Sequence, residues 1–214
     1  MRIVVTGGAG FIGSSFVNLL MNYRGKYDAI DVIVVDKMTY ASNKESLPHD
    51  ITLIEKDICD ITKDDLGEVD YIVNFAAETH VDNSIFDGSP FMKTNIMGVF
   101  NLLEVAREMK HLQKFVQIST DEVYGDLNDL GNPTYHSKET DLLKPSSYYS
   151  ASKSAADQLV ISVGRTYNVP YLITRTCNNY GKRQHLEKFL NTIIQCIYED
   201  IPIQLYKDEL KIRE

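Results

Sequence analysis

Cysteine is scarce here, and what there is cannot build a scaffold. Cys59, Cys177 and Cys196 are odd in number and far apart, with no Cys-x-x-Cys among them. A disulfide framework or a zinc knuckle is excluded, and a reduced, cytoplasmic chain fits. Positive charge is in deficit too: 22 Lys and Arg face 30 Asp and Glu, a formal net charge of −8. An extended nucleic-acid surface needs a basic face, and none is present; a small anionic ligand needs only two or three local cations and stays open. No apolar run approaches the roughly 20 residues of a membrane span. The opening Met1–Val5 meets a glycine turn too soon for a signal peptide. The five histidines, 49, 80, 111, 136 and 185, show no metal-ligand spacing, and no repeats occur.

What is present is ordinary globular composition, 43% apolar and 24% charged over 214 residues, enough to bury about 70% of the unfolded surface. Six short β-branched segments recur: Ile3–Thr6, Asp31–Asp36, Ile51–Glu55, Tyr71–Ala76, Lys114–Ser119 and Tyr171–Thr176. Most are continuous apolar runs, the mark of strands buried on both faces. Helical patterns lie between them. Phe11–Tyr23 sets Phe16, Leu19, Leu20 and Tyr23 on one stripe, and Asn95–Lys110 does the same with Ile96, Phe100, Leu103 and Ala106. In Ser150–Tyr167 the stripe is Ala155, Leu159, Val160 and Val163. The alternation predicts a parallel sheet with helices on both faces. Asp126–Pro145 is a polar loop of the length that is usually functional. Leu186–Tyr198 reads as helix and Pro202–Tyr206 as a short strand.

Three motifs carry chemistry. Gly7, Gly10 and Gly13 form G-x-x-G-x-x-G between a strand and a helix, where backbone N–H groups approach a pyrophosphate at the positive helix end. Asp36 closes the next strand, placed to accept from a ribose 2′-hydroxyl and to repel a 2′-phosphate, which favours NAD over NADP. Asp57 ends the third strand and reads either as an adenine contact or as a loop carboxylate. Tyr149 and Lys153, four apart, share a helix face. The ammonium favours phenolate and equips the tyrosine as a base, although such a pair alone is also met on plain surface helices. Thr120, Asp121 and Glu122 follow the fifth strand, at the carboxyl edge where ligands bind. They fit an acid–base pair and, equally, a Thr-capped turn.

Taken together the sequence resembles the nucleotide-sugar 4,6-dehydratases of the extended short-chain dehydrogenase/reductase superfamily. The resemblance rests on TGGAGFIG (6–13), VDKMTY (35–40), NFAAETHVDNS (74–84), TNIMGVFNLLE (94–104), STDEVYG (119–125), YSASK (149–153) and CNNYG (177–181), with EKF (187–189) and KIRE (211–214) extending it. STDEVYG discriminates best, because the superfamily's epimerases and decarboxylases usually lack the adjacent acids. The chain departs from the family at Tyr148, Lys182, Leu186 and Asn191, where proline is common. The fold implied is α/β: a Rossmann-type doubly wound parallel sheet with helices on both faces, residues 1–177. A partial substrate-binding subdomain begins at 178–214, since the family's chains run on further.

The resemblance also implies roles. Phe11, Ile12, Asp36, Lys37, Met38 and Thr39 would line NAD, as would Asp57, Ile58, Phe75, Ala76 and Ala77; Thr94, Tyr149, Lys153 and Asn179 complete that site. Thr79, Thr120, Asp121, Glu122, Asn178, Lys188 and Arg213 would contact the nucleotide sugar, with Gln204, Leu205 and Tyr206 beside the base. Tyr149 would take the O4 proton of dTDP-glucose as hydride leaves C4, with Lys153 and Thr120 assisting. Glu122 would remove the C5 proton, Asp121 would protonate the departing O6, and the hydride would return to C6. UDP-glucose is the alternative substrate, and a non-catalytic NAD-binding module the alternative role. A homodimer is implied, through helices 95–110 and 150–167 as a four-helix bundle. His80 is expected to pack beside the cofactor.

Overall fold

The computed structural model describes residues 1–26, 30–126, 135–186 and 188–203, with backbone alone at 81–83. Six strands, β1 (Arg2–Thr6), β2 (Asp31–Asp36), β3 (Thr52–Glu55), β4 (Tyr71–Asn74), β5 (Lys114–Thr120) and β6 (Tyr171–Thr176), form one sheet in the order β3-β2-β1-β4-β5-β6. Every neighbouring pair is parallel. The order reverses beside β1, between β1 and β4, and that switch point opens a crevice at the carboxyl ends of the strands.

The apolar strand runs are explained by two cores. On one face Val4, Ile33, Val35 and Ile72 pack with Leu102, Leu103, Val160 and Val163; on the other Ile3, Val5, Val32 and Val34 pack with Val17. The first core is closed by α5 (Val99–Arg107) and α6 (Tyr148–Tyr167), the second by α1 (Phe11–Asn22). Short helices α2 (Lys63–Leu66), α3 (Val81–Phe86) and α4 (Ser89–Phe91) lie between, and α4 runs through a π-helical stretch, Met92–Gly98, straight into α5. After β6 comes α7 (Phe189–Glu199). A buried polar ladder crosses the central strands at one level: Thr6 Oγ1 donates to Asn74 Oδ1 at 2.5 Å, and Asn74 Nδ2 to Gln117 Oε1 at 2.8 Å.

Two helical stripes differ from expectation. Leu19 and Tyr23 are exposed, because α1 turns Gly13, Ser14 and Val17 inward, where the lack of bulk lets the helix settle onto the glycine turn. Phe100 is likewise exposed, and the inward face of its helix is Leu102, Leu103, Val105 and Ala106. The helix expected from Asn95 begins at Ser89, and that expected from Leu186 begins at Phe189. Residues 201–203 carry no strand, and 204–206 lie outside the described residues, as do 127–134 of the polar loop. The three cysteines are free. Among the described residues no helix is long and apolar enough to cross a membrane.

An alanine Cβ at Gly13 would lie 2.2 Å from the Gly7 carbonyl oxygen, backbone against backbone, whereas at Gly10 the same oxygen is 3.3 Å away. Gly13→Ala is therefore expected to cost about 3 kcal/mol, the upper part of the overpacking range, and Gly10→Ala less than ~1 kcal/mol. Urea unfolding of the two variants checks the order.

Candidate functional site

The segments leaving the carboxyl ends of the strands converge at the crevice. Gly7 holds φ 64°, a conformation side chains rarely adopt, and an added Cβ there would come within 2.6 Å of the Ala76 amide nitrogen. The turn thus touches the Phe75–Ala76 backbone directly. Helix α1 starts behind Gly10 with no side-chain cap and no acid in its first turn, so its first N–H groups and positive dipole end face outward. A cleft of about 220 Å³ lies there, lined by Phe11, Ile12, Ser15, Asn179, Tyr180, Gly181 and Lys182. A bare helix end over a turn whose Gly7 and Gly13 leave no room for a Cβ fits the pyrophosphate of a dinucleotide.

Asp36 closes β2 and is buried. Its carboxylate accepts from the Ala9 N–H at 2.9 Å, the Met38 N–H at 2.9 Å and Ser42 Oγ at 2.8 Å. It therefore also anchors the glycine turn to β2, a task that the sequence reading did not assign. Met38, with φ 54°, is held in the left-handed region beside it. Lys37 pairs with Glu78 at 2.9 Å and donates to Thr94 Oγ1 at 3.1 Å, joining the ends of β2 and β4 to the π-helical stretch. Asp57 accepts from the Cys59 N–H. Burial pushes its carboxyl up, but Cys59, Lys37 and Lys93 outweigh that and the net shift is down. Burial and Asp57 in turn push the Cys59 thiol up to about 11. The Ile58 side chain is in the core and its carbonyl accepts from Asn101.

Thr120 caps the 3-10 turn Asp121–Tyr124, accepting from the Glu122 N–H at 3.3 Å and donating to Asp121 Oδ1 at 3.1 Å. The capped-turn reading is thus real, and it sets both acids at the crevice rim, each partly exposed. In α6, a Ser147–Ser150 capping box fixes the helix start. Tyr149 is half-buried, edge-on to Phe91 with ring centroids 6.4 Å apart. Lys153, 4% exposed, donates from Nζ to the Ile118 carbonyl at 2.6 Å. Burial lowers its pKa to about 8, with Asp157 opposing.

From the far side, Lys188 Nζ donates to the carbonyl and hydroxyl of Thr79 at 3.3 and 3.4 Å, bringing two expected sugar contacts together across 109 positions. Asn178 and Asn179 are exposed, and the Asn179 amide donates to Thr176 Oγ1 and the Cys177 carbonyl. His80 is half-buried on the segment after β4. Gln204, Leu205, Tyr206 and Arg213 lie outside the described residues.

Several organising residues escaped the sequence reading. Asn95 exchanges hydrogen bonds with the Glu78 backbone at 2.9 and 3.0 Å and donates to Ser152 Oγ at 2.8 Å, so one buried amide ties the β4 exit to α6. Its setting within a π-helical stretch is where functional sites often occur. Arg175 pairs with Asp157 at 2.9 Å. An arginine inside an otherwise apolar strand, and an acid one helical turn beyond Lys153, were the available signals.

The fold and this crevice define a dinucleotide-binding α/β protein with a Tyr-x-x-x-Lys helix facing the switch point. A family model described as the NAD dependent epimerase/dehydratase family matches residues 3–214, and the chain belongs to that family. It is 42% identical over 221 residues to the low-salt glycan biosynthesis protein Agl12 of Haloferax volcanii, covering all of this chain and 68% of that one. It is 42% identical over 219 residues to the dTDP-glucose 4,6-dehydratase of Mycolicibacterium smegmatis, covering all of this chain and 64% of that one. The crystal structure of DesIV, a dTDP-glucose 4,6-dehydratase from Streptomyces venezuelae with NAD and TYD bound, superposes with a TM-score of 0.86 at 39% identity. The superposition covers 94% of this chain and 63% of that one. The chain thus spans roughly two thirds of the length of these relatives.

Lys153 supplies a test of the site's electrostatics. Its folded pKa of about 8 lies below the ordinary 10.5, so between those values the unfolded chain binds the proton more readily and stability rises with pH. The stability of the parent relative to Lys153→Met is expected to gain about 2–3 kcal/mol between pH 7 and pH 10. Losses at the Ile118 carbonyl cancel in that difference, which paired urea titrations measure.

Proposed function

We propose that this chain is the NAD-binding and catalytic portion of a nucleotide-sugar 4,6-dehydratase. It takes a nucleoside-diphosphate-glucose, dTDP-glucose, to its 4-keto-6-deoxy product with loss of water. One observation carries the reading. The Lys153 ammonium is fastened to the carbonyl of Ile118, two residues before Thr120, so the helix bearing the base and the turn bearing both acids share one anchor.

Bound NAD supplies the oxidant at sugar C4 and the reductant at C6, so the net reaction is a hydro-lyase dehydration with no net redox change. The chain's own groups handle the protons. Tyr149, held as phenolate by the charge of the Lys153 ammonium, takes the O4 proton and becomes the neutral phenol. Thr120 hydrogen-bonds the same hydroxyl. The ketone acidifies the C5 hydrogen, which Glu122 removes while Asp121, as the acid, protonates O6 so that it departs as water. Lys188 supplies charge for the diphosphate in an otherwise acidic protein, with Thr79 and Asn178 on the sugar. Residues 1–177 form the cofactor domain and 178–214 begin the sugar-binding part. A cytoplasmic homodimer through 95–110 and 150–167 belongs to the same proposal.

The 4-epimerases are the nearest rival chemistry, since UDP-galactose 4-epimerase shares the fold with a TM-score of 0.80 at 30% identity. Epimerisation leaves Asp121 and Glu122 without a task, which favours dehydration.

Incubation with NAD and either dTDP-glucose or UDP-glucose, followed by mass spectrometry, is expected to show loss of one water from the thymidine nucleotide sugar and no net NADH. Glu122→Gln is expected to slow water loss by ~10²-fold or more while the sugar still reaches the oxidised stage. Binding of NAD without change in either sugar would overturn the proposal.

A further inference from the structure

Arg175 lies on β6 opposite Ser119 of β5, away from the cleft, and reaches in two directions. Its Nε donates to Asp157 Oδ2 at 2.9 Å, and its Nη1 donates to the Tyr124 hydroxyl at 2.8 Å, with the guanidinium 5.1 Å from the centre of the Tyr124 ring. Asp157 is on α6, one turn beyond Lys153; Tyr124 is the last residue of the turn that starts with Asp121 and Glu122. Asp157 is fully buried, Tyr124 6% exposed and the Arg175 side chain 14% exposed. A solvent-shielded ion pair is a weak source of stability compared with apolar packing of the same volume. Its planar fork nevertheless fixes two partners in one geometry.

We infer that Arg175 and Asp157 are positioning residues. The guanidinium locks the helix carrying Tyr149 and Lys153 to the turn carrying Asp121 and Glu122, so that the oxidation groups and the elimination groups face one sugar. The inference rests on the dehydratase reading above.

Asp157 has a second effect, since it is the charged group that opposes desolvation of the Lys153 ammonium. On Asp157 itself burial raises the carboxyl pKa, and the hydrogen bond from Arg175 with the charges of Arg175 and Lys153 opposes it. Of the other described charges on elements packed against α6, Asp121 and Glu122 sit on the turn at the crevice rim and Lys114 begins β5. Glu104 and Arg107 of α5 pair with each other at 2.6 Å, and Lys93 of the π-helical stretch sits 3.9 Å from Asp57. Tyr149 shares the helix, and Tyr124 closes the network from the turn.

The test has two arms, both on the whole chain. In the first, the protein carries lysine labelled with ¹³C at Cε, and the Lys153 signal is identified by its disappearance in Lys153→Met. Its NMR titration is expected to move to lower pH by about one unit in Asp157→Asn and to stay in place in Tyr124→Phe. This arm needs no turnover, so it stands whether or not the chain proves to be a dehydratase. In the second, Tyr124→Phe, which keeps the ion pair and removes only the bond to the turn, is expected to slow water loss at least tenfold. Its first-turnover formation of NADH should stay within about twofold of the parent. An unmoved Lys153 titration in Asp157→Asn, or equal slowing of both steps in Tyr124→Phe, would overturn the inference. Each arm decides on its own if the other variant does not fold.

Discussion

A buried ammonium resting on a backbone carbonyl organises this molecule. Lys153 gives up nearly all contact with water to place Nζ 2.6 Å from the Ile118 oxygen. The burial lowers its affinity for a proton and demands a partner of opposite sign, which Asp157 supplies from one turn away. Asp157 is itself fully buried and needs a cation in turn, which comes from Arg175 of β6. One charge at the crevice therefore commits a helix, a strand and a turn to fixed relative positions. The stability it forgoes is met by the two apolar cores on either side of the sheet, the common relation between functional sites and their scaffolds.

The opposite wall of the crevice is built by a different economy of contacts. Gly7 and Gly13 are places where the chain needs no side chain at all, because backbone meets backbone at distances a Cβ would violate. Asp36 accepts hydrogen bonds from the turn itself and from the residues that follow β2. The cradle is thus rigid before any ligand arrives, which reduces the ordering that binding would otherwise demand. Segments distant in sequence close over it: Arg183 reaches Ser15 at 3.1 Å, and Tyr40 meets His185 edge-on at 5.4 Å.

Much of this was legible from residues alone, for physical reasons. The inner strands β1, β2 and β4 are mostly buried and so had to be apolar, and all six strands were visible as β-branched runs, two of them to the residue. The glycine spacing and the Tyr149–Lys153 pair were visible because their function depends on local geometry. Side-chain phase was less legible. Leu19, Tyr23 and Phe100 fit an apolar stripe yet face solvent, since small residues such as Gly13 and Gly98 decide which side of each helix approaches its neighbour. The π-helical stretch was hidden, because its geometry goes with the bonds Asn95 makes to Glu78 and Ser152 rather than with any run of residues. Arg175 and Lys188 were hidden as positioning groups for the same reason: their partners are set by the tertiary fold.

In the proposed reaction one crevice first oxidises the sugar, then eliminates water, and then reduces the same molecule without releasing it. The most direct measurement supplies dTDP-glucose carrying deuterium at C4 to the chain with unlabelled NAD, and locates the label in the product by NMR. The expected result is deuterium at C6 of a 4-keto-6-deoxy sugar, with hydrogen from solvent at C5. Deuterium retained at C4, or found only in free NADH, would contradict it.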